Sequence, residues 1–277
     1  MTLAPTKHLE LTTSAPVRRN GFNWRRALLL ALAILAIYVV LIEPYWIEVS
    51  HFDIDGAVVA PLKIAHLSDL HTRGIGRRER RLLDVLDAEK PDVIVITGDS
   101  LGRLNHYEIP GELYKRLHAP LGVWFVRGNW ENESPIRRER VFYQDAGVQL
   151  LLNENARIRP DVWLVGVDDP YSGTAKLDAA MAGIPPDSDR IALFHSPAYF
   201  DRIAGRVNLC LAGHTHGGQV RLPFVRPFWL PRGSGRFLEG WYQENGTGMY
   251  VSRGLGWSIL PIRFRARPEI TFITVNP

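Results

Sequence analysis

Residues 207–219 read Val-Asn-Leu-Cys-Leu-Ala-Gly-His-Thr-His-Gly-Gly-Gln. The apolar stretch 207–212 predicts a strand, and the glycine-rich turn after it carries His214 and His216. A strand that stops at such a turn presents its imidazoles at the carboxyl end of a sheet, where open α/β sheets place their ligands. The glycines of the turn remove side chains that would block close approach of a metal or a phosphate.

Working outward, short apolar runs alternate with amphipathic stretches. Strands are predicted over 62–67, 93–97, 122–126, 148–152, 162–167 and 190–194, with helices over 77–89, 108–118, 176–181 and 198–204. Ser134 followed by Pro135 predicts a further helix through Ala146, with serine as cap and proline in its first position. Beyond the glycine turn the pattern turns β-rich, with strands over 248–252 and 269–275. Alternating strands and helices followed by late strands argue an α/β (α+β) fold, two sheets flanked by helices in one domain spanning 44–277.

Four more predicted strands end in chemically capable turns: Asp69-Leu70-His71, Gly98-Asp99, Gly128-Asn129-Trp130 and His195-Ser196-Pro197. Asp69, Asp99 and Asn129 recur at intervals of 30 residues, about one β-α-β unit, so adjacent parallel strands would set them side by side. Each turn alone has an ordinary reading as loop chemistry; their joint order at strand ends does not. Two aspartates, one asparagine and four histidines offer mixed oxygen and imidazole ligands, suited to Mn, Fe, Zn or Co rather than calcium. Seven such residues exceed one tetrahedral site and fit two divalent ions about 3.5–4 Å apart, which would bind phosphate oxygens and acidify a bridging water for in-line attack on phosphorus.

These blocks resemble the calcineurin-like metallophosphoesterases, whose pattern is Asp-x-His, Gly-Asp, Gly-Asn-His, His, then Gly-His-x-His. The resemblance covers about residues 44–277. Ile64-Ala65-His66-Leu67-Ser68-Asp69-Leu70-His71, the segment 213–220 and Val251-Ser252-Arg253-Gly254-Leu255-Gly256 look like the membrane-associated bacterial phosphodiesterase branch. The resemblance implies a four-layer sandwich of two mixed β-sheets between helices. It implies Asp69, His71, Asp99 and His216 around one metal, with Asp99 bridging to a second held by Asn129, His195 and His214. It further implies that Asp99 and Asn129 serve catalysis, with a metal-bridging hydroxide attacking a phosphodiester or pyrophosphate bond.

One position departs from the family. The histidine that usually follows Gly-Asn, which contacts the substrate phosphate and assists the leaving group, is Trp130 here. Tryptophan cannot transfer a proton at neutral pH. An activated leaving group, a proton from metal-bound water or a weak enzyme are the three outcomes left open. Trp130 is expected to pack against an aromatic or lipidic part of the substrate.

The net charge of +4 resides in residues 1–26, where Lys7, Arg18, Arg19, Arg25 and Arg26 oppose Glu10; the rest of the chain balances. The basic isoelectric point is thus a property of a tail and no sign of nucleic-acid binding. The one cysteine, Cys210, sits in an apolar strand pattern and excludes an intramolecular disulfide. Residues 27–42 are uninterruptedly apolar, reach about 24 Å as a helix, and are flanked by Trp24, Tyr45 and Trp46 as interfacial aromatics. No small-x-small cleavage site follows, so a retained transmembrane signal anchor over 27–43 is favoured over a cleaved signal peptide, with a helix lying in the interface as the alternative. Arginines before the helix and acids after it place the tail in the cytoplasm and the domain outside, on the periplasmic face of a single-pass inner-membrane protein. Some relatives with this architecture resemble lipid-precursor pyrophosphatases working on the cytoplasmic side, which implies the opposite orientation.

Phe224-Val225-Arg226-Pro227-Phe228-Trp229, followed by Arg232, Arg236, Trp241 and Tyr242, could meet a membrane or an acyl-bearing phosphate, or could be an ordinary surface loop. With the anchor nearby, a lipid-linked phosphodiester or pyrophosphate is the expected substrate class, ahead of a cell-envelope polymer or an extracellular nucleotide. The rival is a catalytically weak or silent metal-stabilised domain that binds a phosphorylated lipid or envelope component. His66 reads as a core residue, and His8, His51, His106 and His118 lack supporting neighbours.

Overall fold

Strand β3 (Val93–Thr97) is buried along its whole length, and its side chains divide between two cores by the period-two rule. Ile94 and Ile96 face one side, with Ala65, Leu67 and Phe125. Val93 and Val95 face the other, with Leu62, Ile64 and Val126. A strand apolar on both faces belongs inside a layered structure. The structure is a computed structural model and describes residues 23–277. The basic-tail residues Lys7, Arg18 and Arg19, and also His8, lie outside the described residues.

Among the described residues two six-stranded sheets form. The first runs β1 (Glu48–Asp55), β12 (Glu269–Asn276), β2 (Leu62–Leu67), β3, β4 (Val123–Val126) and β5 (Gln149–Leu150). The second runs β10 (Gly240–Glu244), β11 (Thr247–Val251), β9 (Leu209–Ala212), β8 (Asp189–Leu193), β7 (Val162–Gly166) and β6 (Glu154–Arg159). Both are mixed: β2 through β5 and β7, β8, β9 and β11 run parallel, while β12 opposes β2 and β6 opposes β7.

Leu62, Val95, Leu164, Ile191, Leu211 and Ile273 fill the space between the sheets. Helices α2 (Arg77–Glu89), α3 (Glu108–Tyr114) and α5 (Glu139–Asp145) cover the outer face of the first sheet through Leu82, Leu86, Leu113 and Tyr143. Helices α6 (Leu177–Ala180) and α7 (Phe200–Ile203) cover the second through Leu177, Phe200 and Ile203. The architecture is the four-layer sandwich expected, and Cys210 is buried in it as a core residue.

The helix expected from Ser134 does not start there. Residues Asn129–Glu133 instead form a short helix, α4, and α5 begins only after Arg138, whose φ of 57° is left-handed. The Ser134 hydroxyl is taken by Asn105, accepting its backbone N–H at 2.6 Å and donating to its side-chain oxygen at 2.8 Å, so it cannot cap.

The chain divides into two compact units, Met1–Ala36 and Ile37–Pro277. The described part of the first lies within α1 (Trp24–Ile37) apart from Asn23, and exposes Leu28, Leu29, Leu30, Leu32, Ile34 and Leu35. Trp24–Tyr45 is one helix long and apolar enough to cross a membrane. In the second unit Tyr38–Ile42 forms a π-helical turn, and its Val39 carbonyl accepts the Arg263 N–H at 3.1 Å.

Candidate metal centre

The carboxyl ends of β2, β3 and β4 are adjacent and parallel, and so are those of β8 and β9 in the facing sheet. Asp69, His71, Asp99 and Asn129 follow the first set; His195, His214 and His216 follow the second. Six of the seven expected residues, all but Asn129, fall into two close groups there, and Asn129 is tied to them through its neighbour Trp130, whose N–H meets Asp99 Oδ1. Asp69, His71 and His216 form one group whose ligand atoms lie within 4.8 Å of one another, and Asp99, His195 and His214 form a second. Both groups are buried. Asp99 faces both: its Oδ2 is 3.7 Å from His71 Nε2 and 3.3 Å from His195 Nε2.

Backbone carbonyls fix three of the four imidazoles. His71 Nδ1–H donates to Leu101 O at 2.9 Å, His195 Nδ1–H to Thr97 O at 2.7 Å, and His214 Nε2–H to Arg232 O at 2.9 Å. Each ring's second nitrogen then points into the cluster. His214 Nδ1 is 2.9 Å from His195 Nε2, and His71 Nε2 is 3.3 Å from His216 Nε2. Orienting a ligating histidine through its other nitrogen is how metal sites are built.

The donor set fits divalent cations on a further observation. Asp69 Oδ1 and Asn129 Oδ1 are buried with no hydrogen-bond partner, a cost of about 1–3 kcal/mol each unless something positive meets them. Asp69 Oδ2 and Asp99 Oδ1 are committed, the first accepting Ser68 Oγ–H at 2.6 Å and the His214 N–H at 2.9 Å, the second the Trp130 N–H at 2.9 Å, which leaves Asp99 Oδ2 turned to the two groups.

The charges are strongly interdependent. Burial alone would raise Asp99, but the charge and hydrogen bond of His195 outweigh it and hold the carboxyl well below the usual range. Burial opposes the charge on His195, yet Asp99 raises it well above an ordinary imidazole. Burial pushes His216 down to about 3 and also lowers His71 and His214. The backbone is left-handed at the same place: Asp69, His71, Asp99, His214 and His216 all have positive φ, between 39° and 73°, a conformation uncommon and mildly strained for residues other than glycine.

Two supporting features were not expected. Glu131, the third residue of α4, accepts the N–H groups of Gly128, Asp99, Ser100 and Leu101 at 2.9–3.3 Å, tying the Asp99 and Asn129 loops together. Burial, then the Asp99 charge, push it up to about 7. A glutamate at the third position of a helix is a readable capping signal, so the sequence Gly128-Asn129-Trp130-Glu131 could have disclosed it. Arg263, fully buried, donates to the carbonyls of Arg253, Gly254, Gly256 and Ala266 and reaches His216 Nδ1 at 3.5 Å; no sequence pattern marked it.

The Trp130 ring is half-buried and lies edge-on to His71, centroids 4.8 Å apart. His66 is buried outside both groups with Nε2 2.9 Å from Thr97 Oγ1, while His51 and His106 pair with Glu89 and Glu108. Phe228 and Trp229 are exposed, and with Ile259, Leu260 and Ile262 they line an apolar cavity of about 300 Å³ that ends on Thr215 and His216.

The model of the calcineurin-like phosphoesterases matches residues 62–218. An uncharacterised metallophosphoesterase of Bacillus subtilis, YkuE, is 30% identical over 261 residues, 86% of this chain and 89% of that protein. The phosphodiesterase YaeI of Escherichia coli is 30% identical over 83% of this chain and 89% of its own length. A bovine transmembrane protein with a metallophosphoesterase domain is 35% identical over 76% of this chain and 52% of its own.

Proposed function

The chain belongs to the calcineurin-like phosphoesterase family, and on that footing we propose that it is a membrane-anchored phosphodiesterase working with two divalent cations. The observation that carries this reading is the pair of buried residue groups with Asp99 facing both. Asp69, His71, Asp99 and His216 would hold one cation; Asp99, Asn129, His195 and His214 would hold the other. Such a pair supplies Lewis acidity toward phosphoryl oxygens and an acidified water as nucleophile. The protein's own part is to orient the imidazoles through Leu101, Thr97 and Arg232, and to lock the Asp99 loop through Glu131. The E. coli relative's name supports a diester over a monoester.

The substrate we infer is lipid-linked. The apolar cavity beside His216 would take a hydrocarbon portion while the phosphate sits at the cluster, and Trp130 would contact an apolar leaving group. The basic tail 1–26, the span 27–43 and the domain 44–277 complete the layout, with the domain on the outer face of the inner membrane; protease added to intact spheroplasts should then remove it. Trp130 in place of a proton donor favours a second reading, a domain that binds a phosphorylated lipid without turning it over.

Purified full-length protein in neutral detergent with Mn(II), given an aryl phosphodiester and the matching monoester, tests the proposal. Diester cleavage exceeding monoester cleavage, and lost in Asp99→Asn, supports it. Bound metal without turnover of aryl or lipid-linked diesters favours the binding domain.

A further inference from the structure

Helix α2 buries Leu82, Val85 and Leu86 and turns Arg77, Arg80, Arg81 and Asp84 outward at helical spacing. With Arg116 these side chains line a groove of about 910 Å³ on a different part of the surface from the apolar cavity at His216. All four arginines are exposed. None makes an ion pair within 4.0 Å among the described residues, whereas the neighbouring buried Arg78 is paired with Glu79 at 2.7 Å. Asp84 is the one carboxylate in the lining, so the groove carries a formal excess of three positive charges. The rest of the lining is Leu41, Ile42, Tyr45, Trp46, Ile47 and Leu83. Leu41, Ile42 and Trp46 are 59%, 46% and 52% exposed.

We propose that this groove seats the headgroup of an anionic glycerophospholipid from the surrounding bilayer. A free inorganic anion would use the arginines and leave the apolar half unexplained. A zwitterionic lipid would use the apolar half and leave the excess charge unexplained. An anionic lipid uses both, its phosphate among the guanidiniums and its glycerol and first methylenes against Leu41, Ile42 and Trp46. The location agrees, because Leu41 and Ile42 end the apolar run that would cross the membrane, and Tyr45 and Trp46 are residues of the interfacial belt. This inference rests on the anchoring part of the reading above and is independent of catalysis.

The test is thermal unfolding of the full chain in neutral detergent, with a chelator present so that the metal cluster cannot hold a phosphate. Short-chain phosphatidylglycerol, phosphatidylcholine and inorganic phosphate are titrated in turn. Phosphatidylglycerol should raise the midpoint with half-saturation about tenfold lower than phosphatidylcholine, and inorganic phosphate should have no effect at the same concentration. Arg80→Gln with Arg81→Gln and Arg116→Gln should remove the preference, and rising salt should erode it in the parent. Equal response to both lipids, or a preference that survives the triple substitution, would overturn the proposal. An equal response to inorganic phosphate would show an anion site with no lipid specificity and overturn it too. Because no turnover is read, failure here leaves the phosphodiesterase reading standing, and failure of that reading leaves this one standing.

Discussion

His214 Nδ1 and His195 Nε2 face each other across 2.9 Å, while the other nitrogen of each ring is committed to a backbone carbonyl. Two imidazole lone pairs at that distance repel unless a positive charge lies between or beside them, a proton or a cation. The fold imposes this arrangement from two different loops, and Asp69 Oδ1 and Asn129 Oδ1 are left unpartnered in the same cluster. The site is therefore organised at a cost in stability that bound cations would offset.

Glu131→Gln keeps the side-chain size but gives one acceptor and an NH2 to a place where four backbone N–H groups converge. Stability should fall by about 2–3 kcal/mol, and metal affinity by about 10- to 100-fold. Urea unfolding in chelator separates the first effect from the second, which a Mn(II) titration reads. An unaltered metal affinity would show that Glu131 does not position the Asp99 loop.

Gly213→Ala would put a methyl group onto Ser68 Oγ and the Asp69 carboxylate. Gly213 is not left-handed, so the cost is one of space, at least about 2 kcal/mol, with loss of metal binding. Gly183→Ala is the control: its φ is +79° and no heavy atom lies within 4 Å of the new methyl. That change should cost about 1 kcal/mol and leave metal binding intact.

Acid should destabilise the fold partly through His66. Burial lowers its pKa to about 4, against an ordinary 6.5. The unfolded chain then binds more protons than the folded one between those values, so stability is complete above pH 6.5 and is lost as pH falls toward 4. The contribution is about 3 kcal/mol. Urea unfolding in chelator at several pH values should show a correspondingly smaller acid loss in His66→Gln; parallel curves for the two proteins would remove His66 from the account.

Trp130→His restores the residue usual in the family. Turnover of diesters with poor alkyl leaving groups should rise by about 10-fold or more, as a general acid allows, while KM for apolar diesters should rise as the indole contact is lost. A uniform gain on every substrate with unchanged preference would contradict a substrate-contacting role for Trp130.

The interior strands could be read from sequence because both of their faces are apolar: β2 and β3 begin and end where the pattern placed them. Three of the four sheet edges could not, β5 within the predicted 148–152 being the exception. β1, β6 and β10 carry Ser50, His51, Asp53, Glu154, Arg157 and Gln243, the polar dress of strands with one open side. At the candidate site, the convergence of Asp69, His71, Asp99, His195, His214 and His216 was legible because strand ends separated by whole β-α-β units must converge. Glu131 carried a readable capping signal but its hold on the Asp99 loop did not show, and Arg263 carried none, since both bind backbone groups of loops distant in sequence. The left-handed conformations of Asp69, His71, Asp99, His214 and His216 likewise run against local preference, as expected where tertiary structure holds residues for chemistry.

The most direct test is to count and couple the cations. Full-length protein dialysed against Mn(II) should hold two ions per chain, and its electron paramagnetic resonance spectrum should show a spin-coupled pair, as two ions about 3.5–4 Å apart require. In Asp99→Asn the coupling should disappear, because the oxygen that faces both groups is replaced. A single isolated ion, or a coupled pair that survives Asp99→Asn, would contradict the dimetal account.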